Sequence, residues 1–185
     1  MKRAPATLAL ALAVASAAAR AEPFVLSSPA VVPGGTLGFA QVLDTQGCRG
    51  ANESPALQWR GAPPGTRSFA VTFYDPDAPT GSGWWHWVVF NIPASARGLV
   101  AGAGDARGLR LPAGAVQSRT DFGTPGFGGA CPPPGAAAHR YVFTVYALRA
   151  ATLDAGPDAM AAQVGYLVHQ NLLAAARLEA HYGRR

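Results

Sequence analysis

Ser68-Phe69-Ala70-Val71-Thr72-Phe73-Tyr74, answered by His139-Arg140-Tyr141-Val142-Phe143-Thr144-Val145-Tyr146-Ala147-Leu148, decides the fold class. In the first stretch Phe69, Val71 and Phe73 alternate with Ala70, Thr72 and Tyr74. In the second, Tyr141, Phe143 and Val145 alternate with Val142, Thr144 and Tyr146. A period of two sends successive side chains to opposite faces and predicts strands. Between them, residues 84–92 are aromatic and β-branched, the composition that suits a packed, pleated surface. Shorter candidate strands are residues 24–27, 37–41 and 57–59. Pro33-Gly34-Gly35, Gly61-Ala62-Pro63-Pro64-Gly65 and Cys131-Pro132-Pro133-Pro134-Gly135 read as turns or loops. Short strands divided by turn signals imply a sandwich or barrel. Gly and Pro supply 38 of 185 residues, which argues against a helical bundle.

Toward the end of the chain the period changes. From Pro157 onward, Met160, Val164, Leu167, Val168, Leu172, Ala175 and Leu178 recur at three- and four-residue spacing. This predicts a carboxy-terminal helix whose stripe over residues 164–178 packs on the sheet, with Arg177 and Glu179 facing water and Gly183 as its stop. His169 and His181 fall on that helix as solvated or packing residues.

Met1-Lys2-Arg3, an uncharged Ala/Leu/Val run over residues 4–19, and Ala19-Arg20-Ala21 are the three parts of a secretory signal peptide. The reading is therefore a leader over residues 1–21 and one domain over 22–185. An uncleaved amino-terminal anchor is the alternative. The apolar run is short for a membrane span and contains Pro5, so no transmembrane segment is expected after cleavage. Removing the leader lowers the formal net charge from +5 to +2, because 12 Arg then face 10 acids. With no basic stripe, nucleic-acid binding is not expected. In an exported chain the two cysteines, Cys48 and Cys131, read first as a disulfide; two separate buried thiols are the alternative.

Polar chemistry concentrates in two segments. In Tyr74-Asp75-Pro76-Asp77-Ala78-Pro79-Thr80-Gly81-Ser82-Gly83-Trp84-Trp85-His86-Trp87, Asp75 ends one strand and His86 opens the next. In Gly126-Phe127-Gly128-Gly129-Ala130-Cys131-Pro132-Pro133-Pro134-Gly135, a stiff glycine-edged loop leads to His139-Arg140-Tyr141 at another strand start. Backbone amides of such loops can cradle anions.

These residues resemble the phosphatidylethanolamine-binding protein family. The likeness is carried by Asp75-Pro76-Asp77-Ala78-Pro79, by His86-Trp87, and by Pro133-Pro134-Gly135 with His139-Arg140-Tyr141. Gly81-Ser82-Gly83-Trp84-Trp85-His86-Trp87 and Cys131-Pro132-Pro133-Pro134-Gly135 are similar to its bacterial, Raf-kinase-inhibitor-like branch. The likeness extends to Cys48-Arg49-Gly50-Ala51-Asn52-Glu53-Ser54-Pro55. One departure is Ala136-Ala137-Ala138, where some relatives place glycine two before the His. The resemblance implies a mainly β fold: an antiparallel Greek-key β-sandwich with a carboxy-terminal α-helix. It also implies a small pocket for phosphate or a phospholipid head group. Carried over by motif, the ligand-binding residues are Asp75, His86, His139 and Tyr141, with Pro79, Trp84, Trp85 and Pro132 as walls.

Physical chemistry gives those residues distinct roles. A phosphate monoester needs concentrated donors in a site small enough to shed water, and the two imidazoles, backbone amides and the Tyr141 hydroxyl are such donors. Asp75 is expected to fix one imidazole in a single tautomer, or alternatively to accept from a ligand ammonium group. Asp77 is expected to stabilise its own loop through an Asx turn. Asn52-Glu53-Ser54 fits a glycosylation sequon, a pattern common by chance.

No catalytic residues and no cofactor are expected. Gly81-Ser82-Gly83 is not a nucleophile elbow, and Gly126-Phe127-Gly128-Gly129 is not a P-loop. Asp75, His86 and His139 match a 2-His-1-carboxylate ligand set, which leaves a metalloenzyme as one alternative. Another is an inhibitor or signalling module whose rim loops engage a protease, kinase or other protein partner. The resemblance also leaves a homodimer open. The leading reading is a periplasmic or secreted protein that binds a small anionic ligand without chemistry.

Overall fold

The computed structural model describes residues 22–184; the expected leader, residues 1–21, lies outside them. Eight strands form in chain order: β1 Val25–Ser27, β2 Leu57–Arg60, β3 Ser68–Asp75, β4 Trp84–Pro93, β5 Gly98–Leu99, β6 Val116–Gln117, β7 His139–Leu148 and β8 Leu172–Tyr182. One helix, α1 Ala161–Gln170, lies between β7 and β8, and residues Phe39–Gln41 make a 3-10 turn. A three-stranded sheet has the order β1-β2-β5 and a five-stranded sheet the order β6-β4-β3-β7-β8. Every ladder within them is antiparallel. Among the described residues no helix is long and apolar enough to cross a membrane.

The alternation in β3 and β7 builds two apolar layers, one on each face of the large sheet. Phe69, Val71 and Phe73 join Tyr141, Phe143 and Val145 in the core shared with Leu57 and Trp59 of the small sheet. Ala70, Tyr146 and Leu148 face the other way and pack against Val164 and Val168 of α1. Phe73 and Phe143 are cross-strand partners whose rings stack at 4.1 Å, a pairing that adds specific geometry to the burial. Each fully buried ring of this kind contributes on the order of 2 kcal/mol through area removed from water.

The carboxy-terminal segment differs from the sequence expectation. The helix stops at Gln170, and Asn171 separates it from an eleven-residue strand. Leu172, Ala175 and Leu178 therefore belong to β8, which pairs with β7 from His139↔Tyr182 to Leu148↔Leu172. The tail Ala-Arg-Leu-Glu-Ala-His also carries a period of two: Ala176, Leu178 and Ala180 are buried, whereas Arg177, Glu179 and His181 are not. As a strand the segment pairs the outer N–H and C=O groups of β7, which a helix satisfying only its own backbone would leave open, and that decides between the two periods. His169 stays on the helix; His181 does not.

Candidate functional site

At the end of the large sheet, where β3 finishes and β4 and β7 begin, lies a cavity of about 250 Å3. Asp75, His86, His139, Tyr141, Pro79, Trp84 and Pro132 all line it. Trp85 does not. It sits on the opposite face of β4 and contributes to a different groove, because neighbouring residues of a strand point to opposite sides.

A register slip explains how His86 reaches the cavity. Phe73 pairs with Trp87 but Tyr74 with Trp85, so the β3–β4 ladder skips His86. Such a bulge places one unpaired residue in the strand and re-aims its neighbours. As a result His86 and Trp87, though adjacent, are both buried, and the His86 ring lies beside Phe73, Tyr141 and Phe122. The freed His86 carbonyl accepts from Gly128 N–H at 2.8 Å, and His86 Nδ1 donates to the Gly128 carbonyl at 2.8 Å. A Cβ on Gly128 would fall 2.1 Å from the Phe122 ring, so only glycine lets this segment lie against the cavity wall.

His139, at the first position of β7, donates Nδ1–H to Asp75 Oδ2 at 2.8 Å with both side chains almost wholly buried. The other oxygen, Asp75 Oδ1, accepts from Asp77 N–H at 2.9 Å. The Asx turn thus belongs to Asp75 rather than to Asp77. Asp77 instead takes the Arg140 guanidinium in a fork at 2.6 and 2.9 Å and the Arg140 backbone N–H at 2.8 Å. Those bonds hold its carboxyl at about 2, well below the usual carboxylate range. The aspartates therefore tie the β3–β4 loop to the start of β7 by two separate routes.

Burial pushes His86 down to about 4, which keeps its imidazole neutral at ordinary pH. With Nδ1 committed as a donor, its Nε2 carries a lone pair. Burial, with the Asp75 carboxylate nearby, pushes the Tyr141 phenol well above its ordinary value. Among the described residues, neither Tyr141 Oη nor Trp84 Nε1 has a hydrogen-bond partner, although both atoms are buried. Buried donors without partners are uncommon in folded proteins.

The rim holds residues that sequence reasoning missed. Gln46 lines the cavity with a backbone φ of 51°, in a tight turn just before Cys48. Cys48 and Cys131 form a disulfide, as expected, and it ties the Gln46 turn to the Cys131–Pro132–Pro133 wall. Phe122 packs edge-on against both Trp84 and His86. Nothing local marks Gln46 or Phe122, since long-range packing brings them in. Asn52, the first residue of the sequon pattern, has a structural use: its Oδ1 accepts from Gly129 N–H at 2.7 Å. Among the described residues no three His, Cys, Asp or Glu side chains converge to hold a metal ion.

A family model described as phosphatidylethanolamine-binding protein matches residues 27–183. The chain belongs to that family. It is 48% identical over 171 residues to the UPF0098 protein YbcL of Escherichia coli (strain K12), covering 92% of this chain and 93% of the relative. To the UPF0098 protein YbhB of the same organism it is 49% identical over 149 residues, covering 80% and 93%. The crystal structure of E. coli YbcL, described as a new member of the mammalian PEBP family, superposes with a TM-score of 0.86 over 88% of this chain and 99% of that one. As a phosphatidylethanolamine-binding protein family member, the chain has the antiparallel architecture that its motifs implied.

Proposed function

We propose that this family member is an exported binding protein whose cavity takes a small phosphorylated or otherwise anionic ligand, phosphate or a phospholipid head group, without converting it. The observation that carries the reading is the pair of buried, unpartnered donors, Tyr141 Oη and Trp84 Nε1, in a cavity that also presents two oriented imidazoles. An anion oxygen satisfies such donors and removes the cost of leaving them unpaired. Neutral His86 complements a protonated phosphate oxygen, which donates to its Nε2, so the favoured form is the monoanion. In this reading Asp75 is a positioning residue, since both of its oxygens are already engaged. A periplasmic or secreted location is supported by the leader pattern and by the disulfide, which persists in oxidising compartments.

The test is a calorimetric or NMR titration of the protein with inorganic phosphate and with O-phosphoethanolamine, beside His86→Ala and His139→Ala. Saturable binding by the wild type that both substitutions abolish is expected. A folded wild-type protein that binds neither probe overturns the reading.

A further inference from the structure

On the far face of the large sheet lies a second groove, of about 360 Å3, to which the proposed function assigns nothing. Its construction follows from the ladders. Trp85, Tyr74, Val142 and Glu179 are successive partners across β4, β3, β7 and β8. In the next row Thr72, Thr144 and Arg177 are partners. Small residues in the middle of the sheet leave a depression between larger walls. One wall is aromatic, with the Tyr74 and Trp85 rings 4.5 Å apart. The helix end is closed by Tyr146, against which His169 packs edge-on.

The charges complete the description. Arg140 is engaged by Asp77, but Arg177 makes no ion pair among the described residues. Glu179, two residues along the same face of β8, makes no hydrogen bond among the described residues: His181 stands 3.7 Å away, beyond hydrogen-bond length, and the nearby Arg140 is held by Asp77. A cation and an anion thus stand side by side at one edge of a groove whose opposite wall is aromatic. Apolar walls with a few convergent polar groups are the usual form of a small-molecule site.

We infer that this groove binds a small zwitterion with an aromatic side group: its carboxylate on Arg177, its ammonium on Glu179, and its ring against Tyr74 and Trp85. Arg offers a carboxylate two parallel donors, and aromatic faces add both area and attraction for a nearby ammonium. The site is separate from the anion cavity, because the sheet lies between them.

L-Phenylalanine is the probe, titrated into the protein while the indole N–H signals of Trp85 and Trp84 are followed by NMR. The expected result is a saturable shift of Trp85 with Trp84 unmoved. Affinity is expected to fall about tenfold or more in Arg177→Ala and in Glu179→Gln. Phenethylamine and 3-phenylpropionate, which each lack one charge, are expected to bind similarly weakly. Both substituted residues are partly or fully exposed, so folding is retained. Absence of a saturable shift, a response centred on Trp84, or equal binding of the singly charged analogues overturns the inference.

Discussion

His139 Nδ1 sits 2.8 Å from Asp75 Oδ2, and the sequence separation of 64 residues is closed inside the protein with almost no solvent contact. The bond fixes Nδ1 as the protonated nitrogen and directs the other ring nitrogen elsewhere. Asp75→Asn keeps the volume but can offer Nδ1 a donor in place of an acceptor. The expected outcome is a change in the His139 ring tautomer, read from its 15N shifts. Phosphate affinity should fall with it, by about tenfold or more, as when other orienting partners are lost.

His86 makes the protein sensitive to acid. Its folded value of about 4 lies below the ordinary value of 6.5, so the unfolded chain binds the proton first as pH falls. Stability is therefore fully retained above about pH 6.5, declines as pH drops toward 4, and loses on the order of 3 kcal/mol across that window. Urea unfolding at pH 7 and at pH 4.5, for wild type and His86→Gln, measures it. The pH dependence should be shallower in the variant.

The disulfide between Cys48 and Cys131 closes a separation of 83 residues. Its loss is expected to cost about 4 kcal/mol in the chain-entropy description. Because Cys131 and Gln46 both line the cavity, the Cys48→Ser/Cys131→Ser protein should also bind phosphate more weakly under conditions where it remains folded. Chemical denaturation and a phosphate titration read the two effects separately.

Gly128→Ala tests the close approach to Phe122. The added methyl would lie 2.1 Å from the Phe122 ring, so the ring must move. A loss of about 1–3 kcal/mol in unfolding free energy is expected, as for overpacking elsewhere. Displacement of the His86 signals by NMR should accompany it.

Much of this was legible in local sequence. The alternation through β3 and β7 marked both as strands, and the resemblance carried by the Asp-Pro-Asp, His-Trp and Pro-Pro-Gly motifs implied a pocket with Asp75, His86, His139 and Tyr141. What misled was ambiguity of period. Leu172, Ala175 and Leu178 fit a helix as well as a strand, and small residues such as Ala174–Ala176 weigh little in either direction. Trp85 was carried over as a wall together with Trp84 by motif, and only the pleat decides which face of the strand each of two neighbours takes.

By itself the sequence carried the mainly β fold class, through its period of two and its turn signals, and the family resemblance of its motifs nominated Asp75, His86, His139 and Tyr141 as one group. Tertiary structure alone decided that the last segment is a strand, since the choice rests on ladder hydrogen bonds to β7. It also decided that His86 leaves the β3–β4 register and that Asp75 pairs with His139, because a bulge and a contact across 64 residues have no local signature.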